Sequence, residues 1–297
     1  MALAVQVPRV RERPRSRLLR GAVYWHLLSL DAPTVAVLWA WSFERAAQAR
    51  VSASALAVLG VGTWLIYVAD RLLDARPGRR ALQTELRERH FFHARHRLLL
   101  LAVALPAAAA LLWLIVHMPA IDRRDDASLF AVAMLYFGFV HLALPRTRRW
   151  FAREATVGVV FALATAVPAW AQAQGSRAIM VLLVTGFAAL CCLNTIAIEV
   201  WEKRDARSGF SVAAAAAALA CCAAGLTLAR GLQNSMGVAL VLSTGLSATI
   251  LFWLDVLHRR RLHRKAAPED AARWLLLVRV AADAALLTPL LIVLPWR

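Results

Sequence analysis

Long apolar runs alternate with short polar connections along the whole chain. A helix needs about 20 predominantly apolar residues to cross the hydrocarbon core of a bilayer, and nine runs come close to that length. They lie at about 22–43, 51–73, 95–118, 127–144, 154–172, 177–200, 209–229, 234–257 and 272–295. This pattern predicts an all-α integral membrane protein with about nine transmembrane helices.

The connections between the runs leave no room for a sizeable soluble domain. We therefore expect a basic N-terminal segment over 1–20 and a single polytopic membrane domain over 21–297. The first run is too long for the apolar core of a signal peptide, so we expect it to be a retained span. Composition agrees, because 61% of the residues are apolar, whereas soluble domains are about half apolar.

Positive charge is concentrated in alternate connections. The chain has 35 Lys and Arg against 18 Asp and Glu, a net charge of +17, which on a soluble protein suggests nucleic acid. Here 27 of the 35 cations fall in the N-terminal segment and in every second connection. Such a bias is typical of the cytoplasmic side of a membrane protein. We predict a multi-pass protein of a bacterial-type inner or plasma membrane, with its N-terminus in the cytoplasm and no nucleic-acid partner.

Carboxylates at the ends of the second and sixth runs are the candidate functional groups. Asp70 and Asp74 are four residues apart, and Glu199 and Glu202 are three apart, so each pair shares one face of a helix. Charges within membrane helices are costly and mark functional sites by default. Two carboxylate pairs at one depth repel each other unless they share a hard cation. Mg²⁺ fits that role, because it binds few carboxylates and keeps positions for water and substrate phosphates.

Arginines flank both acidic pairs. Arg71 and Arg76 follow Asp70, and Arg204 follows Glu202. Guanidinium groups bind phosphate oxygens through paired hydrogen bonds, so the acids and arginines together predict metal-assisted handling of a diphosphate at the membrane interface. The alternative is that these are ordinary interfacial charges, solvated and paired with their neighbours.

The acidic segments resemble two motifs of the UbiA superfamily of intramembrane prenyltransferases. Ile66-Tyr67-Val68-Ala69-Asp70-Arg71-Leu72-Leu73-Asp74 is similar to the family's first motif, N-D-x-x-D-R-x-x-D. Ile66 and Tyr67 replace the leading Asn and the first Asp. Arg76-Pro77 follows, as Arg-Pro often does in that family, and Glu199, Glu202 and Asp205 resemble its looser second motif.

The resemblance implies a UbiA-like helical bundle with a cavity that faces the cytoplasm. It implies that Mg²⁺ is the cofactor and that the enzyme transfers an isoprenoid group from a prenyl diphosphate to a small aromatic or lipid-like acceptor. The implied catalytic and metal-binding residues are Asp70, Asp74, Glu199 and Glu202. The implied substrate-binding residues are Tyr67, Arg71, Arg76, Asn194, Arg204 and Asp205. Because two motif residues are replaced, a second hypothesis stays open: a non-catalytic or transport-like membrane protein that binds an isoprenoid or another lipid.

Two further sets of residues suggest other functions. His90, His93 and His96 recur every third residue, so neighbouring pairs could bind a metal ion in a different membrane enzyme, or this basic segment could contact anionic headgroups. Asp31, Arg279 and Asp283 fall inside apolar runs, as charges in transporters do; Arg279 and Asp283 could pair within one helix. Transport sites usually lie at the membrane midplane, whereas the acidic pairs lie near one face.

Overall fold

The computed structural model describes residues 17–74, 88–118, 123, 150–203, 210–229, 235–262 and 268–293. Within those ranges the regular structure is all helical, which agrees with the predicted all-α fold. The helices are α1 (Arg17–Leu27), α2 (Asp31–Ala47), α3 (Ala53–Asp74), α4 (Glu88–Arg95), α5 (Arg97–His117), α6 (Trp150–Ala171), α7 (Arg177–Lys203), α8 (Val212–Leu228), α9 (Ser235–Leu262), α10 (Pro268–Ala285) and α11 (Pro289–Ile292).

Five of these helices are long and apolar enough to cross a membrane, namely α3, α5, α6, α7 and α9. Helix α8 is apolar as well, but shorter. On α5, Leu98, Leu105 and Trp113 are between 60% and 73% exposed. A soluble protein rarely exposes so large an apolar face, whereas lipid accommodates it. The chain is therefore a multi-pass helical membrane protein.

Most predicted runs correspond to described helices, but two of them are interrupted. The run at 22–43 forms α1 and α2 instead of one helix, because Ser29 has a φ of 60°, a left-handed conformation that a right-handed helix cannot contain. The run at 272–295 is divided between α10 and α11. Pro289 begins α11, where the missing N–H of proline is tolerated. The run at 127–144 lies outside the described residues.

Helix α2 lies at the centre of the bundle, in contact with α3, α6, α7, α9 and α10. Trp39 and Phe43 of α2 are completely buried, and the Trp39 ring stacks on Phe187 of α7 with 4.1 Å between ring centroids. The indole N–H of Trp39 donates to the carbonyl of Leu286, 2.8 Å away, so the polar atom of this buried ring has a partner. These contacts join α2 to both α7 and the end of α10.

Helices α3 and α7 both run antiparallel to α2. Asp31, the first residue of α2, contacts Arg71 in the last turn of α3. Ala47, the last residue of α2, accepts a hydrogen bond of 3.1 Å from the backbone N–H of Gly175, just before α7 begins. The C-terminal ends of α3 and α7 therefore lie at the same end of the bundle, and these are the ends that carry the predicted acidic pairs.

Candidate functional site

A buried cluster of ionisable side chains lies where α1, α2 and α10 meet. The Nδ1 atom of His26 lies 2.8 Å from Oδ2 of Asp31 and 2.9 Å from Oδ2 of Asp283. His26 is 1% exposed, and Asp31 is buried as well. The turn between α1 and α2 brings His26 and Asp31 together, and α10 supplies Asp283 from near the other end of the described chain.

Arg71 extends this cluster to α3. Its Nη2 atom lies 3.7 Å from Oδ2 of Asp31, and its Nη1 atom donates to Oγ of Ser29 at 2.5 Å and to the His26 carbonyl at 3.1 Å. The guanidinium also lies 5.8 Å from the centroid of the Tyr67 ring, within the range of a cation–π contact. Arg71 therefore holds the α1–α2 turn against the last turn of α3.

Asn194 connects the same cluster to α7. Its Nδ2 atom donates to Oδ1 of Asp283 over 3.3 Å, and the side chain is 6% exposed. Arg71 and Asn194, predicted as substrate-binding residues on two separate helices, thus meet in one network through Asp31, His26 and Asp283. The sequence analysis predicted Arg71 and Asn194 as site residues. It did not predict that His26, Asp31 and Asp283 form an ion-paired group between them.

The three predicted histidines do not share one environment. His93 is completely buried, and its Nε2 atom lies 3.1 Å from Oγ of Ser29, at the edge of the cluster. His96 is partly exposed, and its Nδ1 atom lies 2.9 Å from the Phe92 carbonyl within the same segment. The side chain of His90 lies outside the described residues. Of the two described imidazoles, His93 is the one that contacts the cluster.

The two glutamates of the second predicted motif are largely buried in α7. Glu202 forms an ion pair with Arg279 of α10, one helical turn from Asp283. Glu199 is buried, on the face of α7 that Glu202 shares by spacing. The two charges of α10 that were predicted to pair with each other, Arg279 and Asp283, thus contact Glu202 and His26 on other helices.

The remaining predicted site residues are described only in part. Asp70 is partly exposed near the end of α3. Asp74 ends that helix, but its side chain lies outside the described residues, as do Arg76, Arg204 and Asp205. Of the four predicted magnesium ligands, the structure therefore describes the side chains of Asp70, Glu199 and Glu202.

A second polar layer joins the C-terminal ends of α7 and α9. The indole N–H of Trp201 donates to Oδ1 of the buried Asp255 at 2.8 Å, and Nε of Arg259 donates to the other oxygen of Asp255 at 2.7 Å. Trp274 of α10 donates to Nδ1 of His258 at 3.2 Å. Sequence reasoning missed this layer, although the spacing of Asp255 and Arg259, four residues apart, indicates their ion pair.

Comparisons with protein-family models, with curated proteins and with solved structures find no match to this chain. The resemblance to UbiA prenyltransferases therefore rests on the motif residues and the pattern of apolar runs in the sequence alone.

Proposed function

We propose that this protein is a Mg²⁺-dependent membrane prenyltransferase of the UbiA type. It would transfer an isoprenoid group from a prenyl diphosphate to a small aromatic or lipid-like acceptor. The observation that carries the proposal is the meeting of Arg71 and Asn194 in one buried network. A divided acidic site requires α3 and α7 to be held together at one end of the bundle, and this network joins them there.

The proposed architecture is a bundle of about nine spans with its N-terminus in the cytoplasm and a cavity open to that side. The bias of basic residues towards alternate connections supports this orientation. It would place the ends of α3 and α7, and with them the substrate diphosphate, at the cytoplasmic surface of the membrane.

The donor atoms at these ends suit magnesium. Asp70 is partly exposed near the C-terminal end of α3 and is followed one turn later by Asp74, while Glu199 and Glu202 lie near the C-terminal end of α7. All four residues supply carboxylate oxygens, the ligands that Mg²⁺ prefers. When bound, Mg²⁺ would stabilise the charge that develops on the departing diphosphate. Arg71 would fix the last turn of α3 through Asp31 and Ser29, and thereby orient Asp70.

In the proposed reaction the allylic carbon–oxygen bond of the donor breaks, and its electron pair leaves with the diphosphate. A nucleophilic atom of the acceptor then bonds to the carbocation and loses its proton. Tyr67 lies one turn before Arg71, where its ring would face the cation and stabilise it. The apolar interior of the bundle would exclude the water that otherwise captures the cation.

A second candidate is isoprenoid or lipid binding without catalysis. The ion pair between Glu202 and Arg279 favours it, because a carboxylate neutralised by a buried guanidinium attracts a metal ion less strongly. The replacement of two motif residues by Ile66 and Tyr67 points in the same direction.

The test is to incubate the purified protein with Mg²⁺ and a panel of prenyl diphosphates, with and without aromatic and lipid acceptors, and to measure diphosphate release. We expect release from the wild type and its loss in the Asp70→Asn, Asp74→Asn double variant. Asp270→Asn is the matched control, because Asp270 is an exposed carboxylate at the start of α10; it should retain full activity. Release no higher than that of the double variant would overturn the enzyme proposal, and binding of prenyl diphosphate without release would support the second candidate.

A further inference from the structure

We propose that His26, Asp31 and Asp283 form a binding site for a divalent transition-metal ion, distinct from the magnesium carboxylates at the helix ends. The three side chains offer ligand atoms that all lie within 4.8 Å of one another. One imidazole nitrogen with two carboxylate oxygens suits Zn²⁺, Mn²⁺ or Fe²⁺, whereas Mg²⁺ strongly prefers oxygen ligands alone.

The geometry around His26 fits an ion that is shared with both carboxylates. The two carboxylate oxygens lie 2.8 Å and 2.9 Å from Nδ1, yet neither lies in the direction that a hydrogen bond from that nitrogen requires. Ligands that are each about 2.1 Å from one ion lie off the nitrogen's axis, about 3 Å apart in six-coordinate geometry and about 3.4 Å apart in a tetrahedron. The two observed nitrogen–oxygen separations are close to those of neighbouring ligands in six-coordinate geometry.

Asn194 supplies an independent observation. Its Nδ2 atom bonds to Asp283, but its buried Oδ1 atom has no hydrogen-bond partner among the described residues. A buried polar atom of this kind is costly and needs an explanation. Three protein ligands leave room on the ion for water, and a metal-bound water beside Asp283 could donate to Oδ1 of Asn194. One ion with its water would thus satisfy Nδ1 of His26 and Oδ1 of Asn194.

The charges of the cluster define the competing state. The cluster holds two carboxylates and the guanidinium of Arg71, which lies 3.7 Å from Asp31, so one negative charge remains to be neutralised. A proton on His26 would neutralise it without a metal. A divalent ion on neutral His26 would leave one net positive charge instead, which suits hydroxide or an anionic ligand at the open position. Protonated His26 and metal-bound His26 are therefore alternatives, and the experiment must separate them.

The site does not depend on prenyl transfer, since it uses none of the four proposed magnesium ligands. Its ion would tie α1 and α2 to α10, next to the network that holds α3 and α7. Loss of transition-metal binding would therefore leave the prenyltransferase proposal standing, and absence of prenyl transfer would leave the metal-site proposal standing.

The experiment is a titration of the full-length, tag-free protein, stripped with a chelator, with Zn²⁺ by calorimetry and with Co²⁺ by visible absorption. We expect one equivalent per chain and a Co²⁺ spectrum of mixed nitrogen and oxygen ligands. His26→Gln and Asp283→Asn should each weaken the affinity by at least about 100-fold, the upper limit for loss of a merely supporting residue. His258→Gln is the matched control, because His258 is equally buried but lies outside the cluster; it should bind like the wild type.

Thermal unfolding with and without Zn²⁺ separates loss of the site from loss of the fold. The ion should raise the midpoint of the wild type and of His258→Gln, but not that of His26→Gln. If Asp283→Asn does not fold, Asp283→Glu, which keeps the carboxylate, should retain Co²⁺ binding. Absence of stoichiometric binding by the folded wild type, or unchanged binding by folded His26→Gln, would overturn the proposal and leave the protonated cluster as the explanation.

Discussion

Replacing Gly158 with alanine should force α6 away from α7. A Cβ atom on Gly158 would lie 2.5 Å from the backbone nitrogen of Cys192 and 2.8 Å from its Cα and Sγ atoms. Non-bonded carbon atoms normally approach to about 3.5 Å, so the two helices would have to separate by roughly 1 Å. The backbone of Cys192 cannot rotate aside as the end of a long side chain can.

The energetic cost follows from two opposing terms. Overpacking of a tight interface costs about 1–3 kcal/mol. Because the new Cβ atom would meet the backbone of Cys192, we expect a cost at the upper end of this range. Alanine regains up to about 1 kcal/mol because it restricts the unfolded helix segment more than glycine does. We therefore expect a net loss of about 2 kcal/mol. The separation would also lengthen the 3.1 Å hydrogen bond from Oγ1 of Thr195 to the Glu154 carbonyl.

The assay is unfolding in detergent by heat or by increasing SDS, with Gly225→Ala as the control. Gly225 lies in α8, and a Cβ there would meet nothing within 4 Å; this variant should be as stable as the wild type or up to about 1 kcal/mol more stable. Equal stability of the Gly158→Ala protein and the wild type would refute the close approach of α6 and α7.

Two further predictions concern the end of the bundle, and the same unfolding assay checks both. Glu202→Leu should cost about 3 kcal/mol, because it removes the carboxylate that forms an ion pair with the buried Arg279. The double variant with Arg279→Met should recover most of that loss, and no recovery would mean that the two charges do not stabilise each other. Trp201→Phe should cost about 1.5–3 kcal/mol, since it removes the N–H that donates to the charged Asp255; an unchanged midpoint would mean that water replaces the indole.

The sequence predicted those helices that can be recognised from consecutive residues alone. The length and apolarity of a run are properties of consecutive residues, so the limits of α3, α5, α7 and α9 could be predicted to within a few residues. The break before α2 carried a local signal too. Asp31 followed by Pro33 is typical of a helix start, but apolar residues on both sides concealed it.

The candidate site could be predicted only in its outer members. The family resemblance named Arg71 and Asn194, and the presence of charge within apolar runs marked Asp31 and Asp283 as unusual residues. Their grouping with His26 depends on how α2 and α10 pack, and no pattern within one segment contains that information. The same limit explains Arg279: its spacing from Asp283 indicated a pair within one helix, whereas packing of α10 on α7 supplied Glu202 as its partner.

The contacts between α2 and the end of α10 bear on how the protein is made. Trp39 and Leu286, which share a hydrogen bond, are 247 residues apart in the chain. At about 5–20 residues per second, the ribosome needs roughly 12–50 s to pass from one to the other. During that interval His26 and Asp31 have been synthesised but Asp283 has not. The first helices must therefore wait in the translocon, at the membrane surface or on a chaperone, and a chain truncated before α10 should be a substrate for membrane proteases.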